Sequence, residues 1–170
     1  MFKTLVIENF IDAKTRFELN EFCKLHHWKL INKSTPDVNY MSWVRILENE
    51  SEYADMIKHM VEIETNLKLK TVRLKINGQT HGQCGVMHTD IHETNTKENL
   101  TLILFINDFW NPIWGGHLLV VEDNKTHSYI PEVCKAVILD SSLPHVGLEP
   151  TKWCESMRMT WAQQFEILGE

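Results

Sequence analysis

Apolar positions recur along this chain in two periods, and the switch between them divides it. Thr4 to Ile7 form a short β-prone run. Asp12 then stands where its carboxylate can accept from the free N–H groups that open a helix, predicted over Ala13 to His26. Phe17, Leu19, Phe22 and Cys23 give that helix a buried side. From Trp28 to Leu47 the pattern is β-like and broken by Ser34-Thr35-Pro36-Asp37, whose residue types mark a turn between two strands. Ser51 caps a second helix, Glu52 to Asn66, in which Tyr53, Met56, Ile57, Met60 and Val61 recur at three- and four-residue spacing. After Leu67 the period becomes two, with Val72, Leu74 and Ile76 alternating with Thr71, Arg73 and Lys75. Leu100 to Ile106, Leu118 to Glu122, Lys135 to Leu139 and Met157 to Phe165 are further strand-like runs between turn-forming clusters.

The pattern predicts a mainly β chain with N-terminal helices. Strands with no helical pattern between them suggest a sandwich or closed barrel, which is how antiparallel sheets bury a face. A length of 170 residues fits one domain, with 1–67 as a supporting region and 68–170 as the β core.

Composition narrows the function classes. Lys plus Arg number 17 against 23 Asp plus Glu, a net charge of −6, so no general attraction draws this surface to phosphate backbones or anionic lipid. A local basic groove is not excluded. Cys23, Cys84, Cys134 and Cys154 are far apart and form no Cys-x-x-Cys pair, so they are expected as reduced thiols. The first residues lack an apolar stretch of signal-peptide length, and Phe109 to Val121, the least charged long stretch, falls short of the roughly 20 apolar residues of a membrane span. A cytoplasmic protein without a membrane segment is the expectation.

Histidine carries the chemistry. Residues two apart on an extended chain point to the same side, so His88 and Asp90 can offer an imidazole and a carboxylate to one ion. His145, which follows the strand-like run Lys135 to Leu139, is the natural third ligand. Two histidines and a carboxylate on one octahedral face leave positions open, an arrangement suited to non-haem iron(II), although the same set could hold zinc. Arg158 and Thr160 share one face of the last strand while Met157, Met159 and Trp161 share the other. An inward-facing Arg needs a partner. The plain reading is a structural bridge to Asp or Glu; beside a metal site, the fork and hydroxyl suit a bound dicarboxylate.

Four motifs together carry a resemblance. Asn77-Gly78-Gln79-Thr80-His81-Gly82 leads to His88-Thr89-Asp90; then come Trp114-Gly115-Gly116-His117-Leu118, Leu143-Pro144-His145 and Arg158-x-Thr160. From Asn77 to Phe165 the chain resembles the iron(II)- and 2-oxoglutarate-dependent oxygenases, and within them the prolyl 4-hydroxylase-like branch. The resemblance implies a double-stranded β-helix, a jelly-roll or cupin-like core, with His88, Asp90 and His145 as the catalytic iron ligands. It implies that Arg158, assisted by Thr160, binds the far carboxylate of the co-substrate 2-oxoglutarate. It further implies that O2 converts this co-substrate to succinate and CO2 while a substrate C–H bond is hydroxylated, with ascorbate as a supporting reductant. A carboxylate at position 90 points to hydroxylation, since related halogenases carry a small residue there. Lys152 competes with Arg158 as the anchor, but Glu149-Pro150-Thr151-Lys152 has the composition of an exposed turn.

A peptide or protein proline is the favoured substrate; small molecules are open, and the acidic balance weighs against a nucleic-acid base. The alternative is a non-catalytic cupin-like module holding a divalent metal, which leaves Arg158 and Thr160 unexplained. Lesser features have plainer readings. Gly115-Gly116 suits a turn better than a phosphate cradle, because no Lys-Ser/Thr follows. Trp110 and Trp114 suit loop packing better than a substrate wall. His92 and Glu93 are candidates for substrate contact or for hydrogen bonds to the metal ligands, and His26 and His27, at a helix end, have no assigned chemistry.

Overall fold

A computed structural model describes residues 2–24, 28–35, 38–47, 51–91 and 99–169. Ten strands and two α-helices follow in the order β1 (Leu5–Ile7), α1 (Ala13–Lys24), β2 (Lys29–Thr35), β3 (Val38–Ile46), α2 (Glu52–Thr65), β4 (Lys68–Gln79), β5 (Asn99–Phe105), β6 (Leu118–Glu122), β7 (Lys125–Tyr129), β8 (Ala136–Asp140), β9 (His145–Gly147) and β10 (Arg158–Gly169), among the described residues. Both helices begin as their caps require: Asp12 Oδ1 accepts from Thr15 N at 2.8 Å, and Ser51 Oγ accepts from Ala54 N at 3.1 Å. Asn66 closes α2 in the left-handed region at φ 55°.

Seven strands form one sheet in the order β1-β8-β5-β10-β4-β3-β2, and three form a second in the order β7-β6-β9. Every strand pair is antiparallel. The smaller sheet is extended beyond β9 by a single antiparallel bridge between His88 and His145. From β4 onward the chain therefore passes back and forth between the two sheets, which makes the core a double-stranded β-helix.

Alternation explains why the large sheet is buried on both sides. Leu100, Leu102 and Leu104 of β5, Ala136 and Ile138 of β8, and Trp161 and Phe165 of β10 pack with Leu19 and Cys23 of α1 and Ala54, Ile57 and Val61 of α2. Their neighbours Ile103, Phe105, Val137, Leu139 and Ala162 face Leu118 and Val120 of the small sheet instead. The helices cover one face, the small sheet the other, and the cleft opens on the second.

Several expectations need adjustment. Phe17 does not belong to the buried side of α1: it is 59% exposed, because the buried stripe runs through Leu19 and Cys23 and takes Asn20, whose Nδ2 donates to Ile106 O at 2.7 Å. The strand β7 was absent from the apolar pattern because Lys125-Thr126-His127-Ser128-Tyr129 is an edge strand with little to bury. It is joined to β6 by Asp123 and Asn124, both at positive φ, the two-residue turn that suits a hairpin. The centre of the turn at Pro36-Asp37, and the pair His26 and His27, lie outside the described residues. All four cysteines are free, and no described helix is long and apolar enough to cross a membrane.

Asn107 holds the entry to β10 in place. Its Nδ2 donates to Met157 O and its Oδ1 accepts from Met159 N, each at 2.8 Å, so one side chain clamps the backbone on both sides of Arg158. Asn107→Ala leaves the buried Met159 N without this acceptor and takes one donor from the partly buried Met157 O. It is expected to lower unfolding free energy by about 1–3 kcal/mol, read as a lower urea midpoint with an unchanged slope.

Candidate metal and anion site

The three residues expected to share an ion come together. His88 N donates to His145 O at 3.1 Å, His145 N donates back to His88 O at 2.9 Å, and Asp90 N donates to Ser141 O at 2.9 Å. This stitching aligns the segment around His88 with the edge of the small sheet and turns all three side chains to one side. Their candidate ligand atoms lie within 4.8 Å of one another.

The histidine tautomers follow from their partners. His88 Nδ1 lies 2.8 Å from Val86 O, and His145 Nδ1 lies 3.0 Å from Leu143 O. A carbonyl can only accept, so each Nδ1 carries a proton and Nε2 is the atom each ring leaves toward the common point. Those Nε2 atoms face the Asp90 carboxylate, His88 at 3.7 Å from Oδ1 and His145 at 3.5 Å from Oδ2. Burial, followed by the neighbouring His145 ring, lowers the pKa of His88 and favours the neutral form that a metal requires. Burial pushes the Asp90 carboxyl the other way, but the His145 imidazole, the charge of Lys75 and the Gln164 amide outweigh it and hold the carboxyl well below its ordinary range. Two imidazoles and one carboxylate converging on one point are a donor set that fits a divalent transition metal.

Arg158 lies in the same cleft and is 2% exposed. Its Nε donates to Gly116 O at 2.6 Å and its Nη1 donates to Gln79 Oε1 at 2.8 Å. Gln79 is fixed in turn, its Nε2 donating to Gln83 O at 3.0 Å and Gly147 O at 2.8 Å. The ring of Phe105 lies 5.4 Å from the guanidinium carbon. Two glycines let the backbone approach this closely. A Cβ on Gly116, at φ +71°, would meet Arg158 Cδ at 3.0 Å, and one on Gly147 would sit 3.3 Å from Nη1.

No carboxylate pairs with this guanidinium among the described residues. Burial alone pushes its pKa down to about 10, still well above neutral, so the charge persists. The structural Arg–Asp or Arg–Glu bridge is thus not found among the described residues, and the chemistry of a buried guanidinium held by neutral acceptors suits an anion. Thr160 shares its strand face and the cleft, directly opposite Asn77 of β4. Ile103, Leu118 and Ala162 supply apolar wall between these polar ends.

The competing anchor is elsewhere. Lys152 is exposed, with its ammonium 4.8 Å from the Trp153 ring centre. Trp110 and Trp114 pack edge to face at 5.3 Å and are nearly buried, which is loop packing. Gly115 and Gly116 form a turn, and its contribution to the site is the Gly116 carbonyl. His92 and Glu93 lie outside the described residues. Sequence patterning missed the roles of Gln79 and Gly147, which only become neighbours of Arg158 when β4 and β9 meet β10; Gln79 opposes Arg158 in register, a relation that pairing creates.

No family model matches the chain, and no curated protein matches it. Solved structures do match. A prolyl-4-hydroxylase from Pseudomonas putida aligns with a TM-score of 0.71 at 17% identity, covering 98% of this chain and 93% of that one. An oxidoreductase of the 2OG-Fe(II) oxygenase family from Burkholderia pseudomallei gives 0.75 at 10% identity, covering 96% and 84%. HygX from Streptomyces hygroscopicus, with nickel and 2-oxoglutarate bound, gives 0.69 at 9%, covering 96% and 82%. At such identities the likeness is one of fold, and it bears out the fold that the motifs implied.

The depressed Asp90 pKa sets an acid limb of stability. Its folded value lies below the unfolded one of about 3.9, so the ionised carboxylate stabilises fully above about pH 4, and that contribution is lost as pH falls further. Thermal melts of metal-free protein are expected to show stability falling below about pH 4, with a flatter limb in Asp90→Asn.

Proposed function

We propose that this chain is an iron(II)- and 2-oxoglutarate-dependent dioxygenase that hydroxylates a C–H bond and releases succinate and CO2. The observation that carries the reading is one cleft holding a His-Asp-His donor set and, facing the same space, a buried Arg without a carboxylate partner among the described residues. A metal-binding module alone accounts for the first and leaves the second at an unexplained energetic cost.

In this reading His88, Asp90 and His145 would hold iron(II) through two Nε2 atoms and a carboxylate oxygen, with the keto-acid end of 2-oxoglutarate turned toward them. Arg158 and Thr160 bind the far carboxylate, the guanidinium with the donors that Gln79 and Gly116 leave free. Ile103, Leu118 and Ala162 suit the methylene pair between the two carboxylates. Bound iron supplies the oxygen activation that couples co-substrate decarboxylation to hydroxylation. The chain's own part is orientation: a preset fork at one end and preset imidazoles at the other fix which end of the diacid meets the metal. The half-exposed His88 marks the side from which a substrate C–H bond approaches. A peptidyl proline is the favoured substrate, supported by the prolyl-4-hydroxylase whose fold covers nearly the whole chain. The machinery belongs to 68–170, with 1–67 as its support within one domain.

Anaerobic titration of metal-free protein with iron(II) and then 2-oxoglutarate tests the reading without a known substrate. A weak visible charge-transfer band is expected. Arg158→Ala should raise the half-saturating co-substrate concentration at least about tenfold, and His88→Ala should abolish substrate-free formation of succinate. Iron binding without any band would overturn the dioxygenase reading in favour of the non-catalytic metal module.

A further inference from the structure

Asp90 is gripped from behind by a chain of hydroxyls. Thr101 Oγ1 donates to Asp90 Oδ2 at 2.9 Å and lies 2.9 Å from Ser141 Oγ. Both residues are buried, Thr101 completely and Ser141 to 1% exposure. The proton order follows from the donor count. An ionised carboxylate only accepts, so the single Thr101 hydrogen points at Asp90; Thr101 then offers Ser141 only lone pairs, and the Ser141 hydroxyl must donate to it. The direction is Ser141 to Thr101 to Asp90.

Ser141 grips the backbone as well. Its carbonyl accepts from Asp90 N at 2.9 Å, and its own N–H donates to Asn99 O at 3.0 Å at the start of β5. One residue thus sets both the main chain of Asp90 and, through Thr101, its carboxylate. Thr101 sits on the face of β5 that continues with Ile103 and Phe105, both packed among apolar side chains. Val would have the same shape and suit the strand equally, so packing does not ask for the hydroxyl. The carboxylate does.

We propose that Thr101, backed by Ser141, is a positioning residue that presets the Asp90 carboxylate for a divalent metal. With Oδ2 tied to Thr101, the carboxylate cannot rotate freely. Its orientation is settled on folding instead of being lost as entropy when the ion binds. Oδ1, on the side of His88 Nε2, is left free of the Thr101 hydrogen bond. The inference rests on the reading of His88, Asp90 and His145 as a metal site.

Cobalt(II) is the probe, titrated into the metal-free 170-residue chain and followed by its visible ligand-field absorption, with no turnover required. Thr101→Val is expected to weaken cobalt binding about 10- to 100-fold, and Thr101→Ser, which restores the hydroxyl, to recover most of the affinity. Wild-type affinity in Thr101→Val overturns the proposal, as does equal weakening in the Val and Ser variants, which would mark a packing effect. Should Thr101→Val fail to fold by circular dichroism, Ser141→Ala decides: it leaves the contact to Asp90 and removes the hydroxyl behind it. A weakening of about threefold supports the relay, and unchanged affinity overturns it. Failure of the wild-type chain itself to bind cobalt, or unaltered binding in His145→Ala, would sink the metal-site reading instead.

Discussion

The period-two alternation of β10 is the constraint on which the molecule turns. This strand lies between β4 and β5 in the large sheet, and its residues take opposite environments in strict sequence. Met159, Trp161 and Phe165 enter the core under the helices, while Arg158, Thr160 and Ala162 face the cleft. A slip of one residue would drive the guanidinium into the apolar core and Trp161 into the cleft. The large apolar side chains that hold the helices to the sheet therefore hold Arg158 and Thr160 in register as well, and Asn107 adds a polar clamp where the strand begins.

Electrostatics then divides the cleft into two unlike ends. At one, Asp90 stays ionised because neighbouring donors and charge outweigh its burial, and the two imidazoles turn their protons away to backbone carbonyls. At the other, a guanidinium remains charged with only neutral acceptors around it. The two ends are opposite in kind: a carboxylate with two imidazoles, and a guanidinium with no carboxylate against it among the described residues. The proposed metal and dicarboxylate would suit these two ends. The energetic cost of an incomplete site is carried by the tightly packed sheet behind it.

Much of this was legible in the linear pattern. Both helices and their caps, the strand positions and the two faces of β10 follow from local periodicity and hydrogen-bonding chemistry, which operate over a few residues. The grouping of His88 and Asp90 with His145 was legible through motif order, and the structure brings them together. Phe17 was misplaced because a helix stripe wide enough to include it is narrowed here by Asn20, a polar residue that earns its buried position through one carbonyl partner. The strand β7 escaped because an edge strand with a polar exposed face leaves no apolar signature.

What the sequence by itself determined were the two helices, most of the strands and the residue types able to hold a metal and an anion, because each depends on local spacing and side-chain chemistry; the double-stranded β-helix came from the resemblance its motifs carry. Only the tertiary structure put Arg158 in the cleft and left Lys152 exposed outside it, since burial is a property of the assembled sheets. It alone brought Gln79, Gly116 and Gly147 around the guanidinium and Thr101 and Ser141 behind Asp90. Those contacts join residues far apart in the chain, and their geometry exists only once strand pairing has fixed which positions oppose one another.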